Sequence, residues 1–160
     1  MRGMVVIAAA VVAFASVPLM AGEGDALVGL WATDPDSEDG QAHVEIYEKD
    51  GKYHGKLVWL EEPEYPSNDD GGMAGKPKVD RENPDESLRN RPIQGLQIMF
   101  DFEYAGGNKY KKGTIYAPDE GKTYKCKLAI DEDGNLKVRG YIGVALIGRT
   151  EVWTPVRGDG

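Results

Sequence analysis

Residues 96–130, "LQIMFDFEYAGGNKYKKGTIYAPDEGKTYKCKLAI", decide the fold. Leu96, Ile98, Phe100, Phe102 and Tyr104 share one face of the opening run, with Gln97, Asp101 and Glu103 opposite. Period two marks a half-buried strand, because successive side chains of an extended chain point to opposite sides. "AGGN" turns the chain, "KYKKGTIYA" extends it, "PDEG" turns it again, and "KTYKCKLAI" follows. Gly, Asn, Asp and Pro provide the backbone angles that tight turns require. Strands joined by connections this short are consecutive antiparallel neighbours.

The same grammar extends both ways. Upstream, "QAHVEIYE" sets Ala42, Val44 and Ile46 on one face and His43, Glu45 and Tyr47 on the other. A turn at Asp50 and Gly51 leads into "KYHGKLVWL". Downstream, "DEDG" turns the chain into "NLKVRGYIG", and "VALIGRTEVWTPV" is the last strand. With "LVGLWAT" at residues 27–33 the count is about eight strands and no long helix. A meander of hairpins has two edges, and closing it into an up-and-down barrel removes both. Eight strands leave an interior that fits side chains or one small ligand. Glycines within strands, such as Gly55, Gly113 and Gly140, suit sharp coiling at barrel corners. An open two-sheet sandwich uses the same strands and is the structural alternative.

The chain has 160 residues, 29% charged and 41% apolar, and a formal net charge of −8. The length suits one soluble domain with one core. The acidity argues against nucleic-acid and membrane-surface partners, which are themselves anionic. The N-terminus departs from this composition. Arg2 precedes an apolar run over residues 4–17, then Pro18 and small residues, the pattern of a secretory signal peptide. Cleavage is expected near Ala21 or Gly22, giving a signal peptide over residues 1–22 and one barrel domain over residues 23–160. Ala13-Phe14-Ala15 also fits a small-residue site, and an uncleaved anchor is the alternative, although the run is short for a membrane span. Export, to the periplasm or outside the cell, is the expected destination. Cys126 is the only cysteine, so no internal disulfide forms. It shares parity with Tyr124, Leu128 and Ile130 and reads as a buried, inert thiol.

Residues 61–91 carry no strand pattern, and loops this long are uncommon and tend to be functional or mobile. Within them, Asn83 is placed to cap a helix, Pro84 to occupy its first position, and Asp85 and Glu86 to face its positive end. Pro92 stops it. The expectation is a helix of about two turns in the long loop.

Chemistry-bearing motifs are few. His43 and His54 lie on adjacent strands near Glu45, but one hairpin supplies too few metal ligands, so they read as exposed polar residues. "DPDSEDG" at residues 34–40 has the acids of a calcium loop, but its glycine comes one place late and no distal glutamate follows; it reads as a solvated turn. No nucleophile elbow, phosphate loop, zinc signature or cofactor motif is present. The sequence names no catalytic residue and no cofactor.

"GLW" at 29–31, "HGKLVWL" at 54–60, "DRENPDESLRNRPIQGL" at 80–96, "GTIYAPDEGKTYKCKL" at 113–128 and "LKVRGYIGVALIGRTEVWTPV" at 136–156 together resemble the exported bacterial family called domain of unknown function 2147. The resemblance spans residues 27–156 and implies export and a calycin-like barrel, the class that includes lipocalins. It carries no activity with it. One departure is Pro155, which stands where the family pattern suggests a base after the last Trp; Arg157 follows slightly later.

Two expectations about residues follow. The resemblance implies a latch in which Arg149 of the last strand covers Trp31 of the first, since guanidinium stacks well on indole; Arg139 and Arg157 compete for that role, and Trp31 could instead be a core plug. The functional expectation is a barrel that binds a small apolar or amphiphilic molecule. Trp59, Phe100, Phe102 and Tyr124 are its aromatic candidates, and Arg89 and Arg91 could meet a carboxylate or phosphate head at the mouth. In the alternative, these arginines pair with Asp80 or Asp85 and hold the corner. A filled barrel serving an envelope interaction or structural role is the rival reading, and a hydrolase on the same scaffold a third.

Overall fold

The computed structural model describes residues 22–143 and 148–158. The expected signal peptide, up to residue 21, and residues 144–147 of the expected last strand lie outside them. Eight strands follow in order: β1 (Gly29–Ala32), β2 (Ala42–Lys49), β3 (Lys52–Leu60), β4 (Gln97–Tyr104), β5 (Lys109–Ala117), β6 (Lys122–Ile130), β7 (Leu136–Tyr141) and β8 (Gly148–Pro155). Each pairs antiparallel with the next, and β8 returns to β1 through Trp31 opposite Pro155 and Ala32 opposite Thr154. That last pairing makes the sheet a closed barrel and excludes the open sandwich.

Alternation places most inward residues correctly, but bulges reset it, with the largest consequences in β4 and β5. In β4, Asp101 takes a left-handed φ of 60°. The pairing with β3 shifts, so Met99 opposes Gly55 and Phe102 opposes Tyr53. Strict alternation would put Met99 outside and Phe100 inside. Instead Met99 is fully buried and Phe100 only partly so. In β5, Lys112 has φ 62° and the register shifts between Tyr110 and Gly113. The shift keeps Gly113 and Ile115 on the inner face, opposite Cys126 and Tyr124, and moves Tyr116 to the face of Thr123, where it is buried against Asp80 of the β3–β4 connection. Gly113 is glycine for a packing reason, since a Cβ there would run into the Phe102 ring.

One end of the barrel is plugged. A 3-10 turn, Asp25–Leu27, puts Leu27 into the core. The Trp31 indole N–H donates to the Leu27 carbonyl at 2.9 Å, the Tyr110 hydroxyl donates to the Gly24 carbonyl at 2.6 Å, and the Tyr53 hydroxyl donates to Asp25 Oδ1 at 3.2 Å. The Tyr53 and Tyr110 rings meet edge-on, 5.4 Å between centroids. Trp31 is therefore a core plug closed by this turn. The expected latch is not formed: Arg149 is in register with Gly140, toward the other end of β8, whereas Trp31 is in register with Pro155. The two positions are six residue steps apart along β8, roughly 20 Å of rise.

Cys126 is buried as expected. Burial first, and then the charge of Glu151, push its thiol up to about 12, so the nucleophilic thiolate is scarce.

The long β3–β4 connection, residues 61–96, is ordered. Isolated bridges join Glu64 to Pro77 and Val79 to Pro92. Its helix is shorter than expected, one 3-10 turn over Glu86–Leu88, and its cap is Asp85, whose side chain accepts from Ser87 N. Asn83 is held for another purpose. Its amide donates to Asp80 Oδ2 at 2.8 Å, while its own Oδ1 accepts from Asp85 N at 2.8 Å. With Asn83 buried and turned toward Asp80, the turn starts two residues later, and Pro84 sits between the two.

Candidate functional site

Opposite the plugged end, the β1–β2, β3–β4 and β5–β6 connections, with Ile142 just after β7, surround a cavity of about 780 Å³. Its inner wall is apolar: Leu57, Ile93, Ile98, Ile115, Val138 and Trp153 all contribute. All but Ile93, which comes from the β3–β4 connection, stand on different strands, because each inward position of a barrel faces the same interior. The cavity is wide at Gly140, where a Cβ would meet only ordinary van der Waals neighbours, Tyr124 Cβ at 3.6 Å and Ile115 Cγ2 at 3.9 Å.

The β3–β4 connection lies over the mouth as a strap. Its anchor is Asp80, fully buried and the acceptor of three side-chain bonds. Tyr116 of β5 donates its hydroxyl at 2.6 Å, Arg91 its Nε at 2.8 Å, and Asn83 its amide at 2.8 Å. A buried carboxylate is costly unless donors surround it, and here two come from the strap and one from the barrel wall. Tyr116 itself lines the cavity. Burial, and then its bond to Asp80, hold its hydroxyl up at about 12, so it stays a donor. The strap also approaches the β5–β6 turn closely. Gly121 has φ 66°, and a Cβ there would collide with the Glu82 carbonyl oxygen.

A second anchor ties the strap to itself. Arg81 gives Nη1 to Asp69 Oδ2 at 3.0 Å and Nη2 to Asp69 Oδ1 at 2.8 Å, and its guanidinium lies 4.1 Å from the centre of the Tyr65 ring. Arg81 beside it holds the Asp69 carboxyl below the usual carboxylate range. Tyr65 in turn donates its hydroxyl to the Val79 carbonyl at 3.0 Å and accepts from Val79 N at 3.2 Å.

The residues expected from sequence to bind a ligand are scattered. Tyr124 lines the cavity, its hydroxyl donated to Glu120. Trp59 does not; it is exposed and its ring lies 4.4 Å from that of His43, because a bulge at His43 and Val44 alters the pairing there. Phe102 is sealed in the core of the plugged half, and Phe100 is not among the lining residues. Arg91 is held by Asp80, and Arg89 donates Nε to the Asn83 carbonyl at 2.7 Å. Arg91 thus pairs with Asp80, whereas Arg89 holds the corner through a backbone carbonyl and Glu86 rather than through Asp80 or Asp85, and neither arginine lines the cavity. Arg149 does line it, bonded to Glu151 at 2.8 Å, and Trp153 Nε1 donates to the other Glu151 oxygen at 3.1 Å. His54 Nδ1 lies 3.3 Å from both Gln97 Nε2 and Asp101 N, away from the cavity. No group of three or more metal-ligating side chains comes together among the described residues.

Sequence reasoning missed Arg81, Tyr65, Lys78 and Tyr116. The first had a visible signal, since it sits in the same arginine-bearing segment as Arg89 and Arg91. Tyr116 had none, because its role depends on Asp80, 36 residues away, which the strap brings to it.

Residues 29–155 match the family model for domain of unknown function 2147, bacterial proteins described as uncharacterized. The chain belongs to this family. No curated protein matches the chain. Among solved structures, it is similar to protein HP1028 from the human pathogen Helicobacter pylori, described as belonging to the lipocalin family. The identity is 26% with a TM-score of 0.69, covering 82% of this chain and 83% of that one. The family barrel here is thus lipocalin-like in fold, with its mouth crossed by the Asp80-anchored strap.

Proposed function

We propose that this protein is an exported binding barrel that holds one small apolar or amphiphilic molecule, its apolar part inside and its polar end beneath the strap. The observation that carries the reading is the cavity of about 780 Å³, apolar within, plugged below and polar at the rim. Small-molecule sites span about 300–1,000 Å³ and combine apolar walls with a few polar groups. The likeness to a lipocalin-family protein supports the reading through fold, and the apolar N-terminal run supports export. Native mass spectrometry of protein purified from its source tests it. The expected result is an adduct that organic extraction removes and that rebinds to the stripped protein. A bare mass, together with no uptake of a neutral apolar dye such as Nile red by the stripped protein, would leave the filled-barrel reading standing.

A further inference from the structure

Among the described residues, the cavity lining carries eight carboxylates and three cations. Each cation is already engaged. Arg81 gives both terminal nitrogens to Asp69, Arg149 bonds Glu151, and Lys78 Nζ lies 4.0 Å from Glu62. Those pairings account for three of the acids. The five that remain are Glu38 and Asp39 on the β1–β2 connection, Glu82 on the strap, and Asp119 and Glu120 on the β5–β6 turn. Glu82 also lies 3.7 Å from Arg81 Nε, and Glu120 accepts from Tyr124. Asp39 and Asp119 come from opposite loops, and Asp39 acts electrostatically on Asp119, whose carboxyl is raised first by burial and then by that neighbour.

Acids on a solvated rim would mean little alone. Here they surround the opening of an apolar cavity, so a ligand seated in it must leave its polar end among them. An anionic head would shed water beside surplus negative charge, with Lys78 as its one loosely held cation. A cationic head would meet unpaired carboxylates and the ring of Tyr124, held beside them by its bond to Glu120. Resting on the binding reading above, we propose that the mouth selects a cationic amphiphile. The ligand is an amine or quaternary ammonium whose tail fills the cavity and whose positive end lies among Asp39, Asp119 and Glu120.

Displacement of Nile red from the full barrel by three probes with the same tail tests this: dodecyltrimethylammonium, dodecanol and dodecanoate, each below its micelle concentration. At low salt the cation should bind about tenfold tighter than the anion, and the gap should close in about 1 M salt, where screening acts within about 3 Å. Asp39→Asn with Asp119→Asn should narrow the ratio severalfold. Glu48→Gln with Glu103→Gln, the same loss of charge near the plugged end, should leave the ratio unchanged. Equal binding of cation and anion, or tighter binding of dodecanoate that Lys78→Gln abolishes, overturns the inference and leaves the binding reading intact. Failure of all three probes, dodecanol included, defeats the binding reading itself. An equal response of the ratio to both double variants would assign the preference to net charge, and so would also overturn a selective mouth.

Discussion

Tyr116 donates its hydroxyl to Asp80 at 2.6 Å, a bond between residues 36 apart in sequence that fastens the strap to the barrel wall. Arg91 and Asn83 reach the same carboxylate from the strap side, so the bond to Tyr116 joins a local corner to the barrel. Tyr116→Phe should lower stability by about 1–3 kcal/mol, the cost of depriving a buried charged acceptor of a donor. Asp80→Ala should cost more, about 3–5 kcal/mol, since it leaves the Arg91 charge without its buried partner. Urea denaturation measures both. Hydrogen exchange in Tyr116→Phe should rise over residues 61–96 and stay slow in β6 and β7. Uniform faster exchange would mean that the bond serves the whole barrel.

Alkaline pH tests the same tyrosine together with Tyr53. Burial raises both hydroxyls to about 12, and the carboxylates that accept from them, Asp80 and Asp25, add to the shift. An unfolded tyrosine ionises near 10. The folded values are higher, so the stability tied to these protons is complete below about pH 10 and is lost as pH rises through about 12. Urea midpoints should hold steady up to about pH 9 and fall between about pH 10 and 12. Tyr116→Phe should show a shallower fall, and an unchanged slope would remove Tyr116 from the account.

The burial of Cys126 gives a sharp chemical expectation. With its thiol raised to about 12, it should resist an aromatic disulfide reagent at pH 8 and react fully only once the barrel is unfolded. Cys126→Ser should fold, at a cost of about 1–3 kcal/mol for placing a hydroxyl in that site. Rapid labelling of the native protein would mean that β6 opens far more readily than its place in the closed sheet implies.

The barrel was legible because its information is local. Period-two runs and tight turns such as Asp50-Gly51 and "PDEG" fix neighbours a few residues apart, and eight such runs leave few ways to protect two edges. What escaped was decided across distance. Lys112 is not a residue type that favours the left-handed region and Asp101 marks it only weakly, so little in their type announced the bulges that bury Met99 and move Tyr116 off the inner face to meet the strap. Asn83 and Pro84 satisfied the local rules for a helix start, yet the partner that claimed Asn83 was a buried carboxylate three residues earlier, itself held by a tyrosine from another strand. Arg149 was placed on the right strand and paired with the wrong end of it, because strand membership does not give height in a barrel. The path of the strap over the mouth, and with it the rim of acids, depended on contacts such as Arg81 with Asp69 that alternation cannot express.

Gly140 offers the cleanest test of whether the cavity is the working part of the molecule. It sits in β7 opposite Cys126 on one side and Arg149 on the other, it lines the cavity, and its φ is not left-handed. The nearest atoms to a new Cβ would be Tyr124 Cβ at 3.6 Å and Ile115 Cγ2 at 3.9 Å, ordinary contacts that require no movement. Gly140→Leu would therefore extend an apolar side chain into open space. Strand glycines weaken a sheet through chain entropy and lost packing, so the variant should melt no earlier than the parent, and later if the new side chain packs. The same side chain would take volume from the ligand. Nile red uptake should fall at least severalfold while stability holds or rises, an outcome that a collapsed barrel could not imitate because stability and binding would then drop together. If Gly140→Leu keeps full affinity with an unchanged or higher melting temperature, the dye binds elsewhere on the protein, and the cavity loses its claim to be the site.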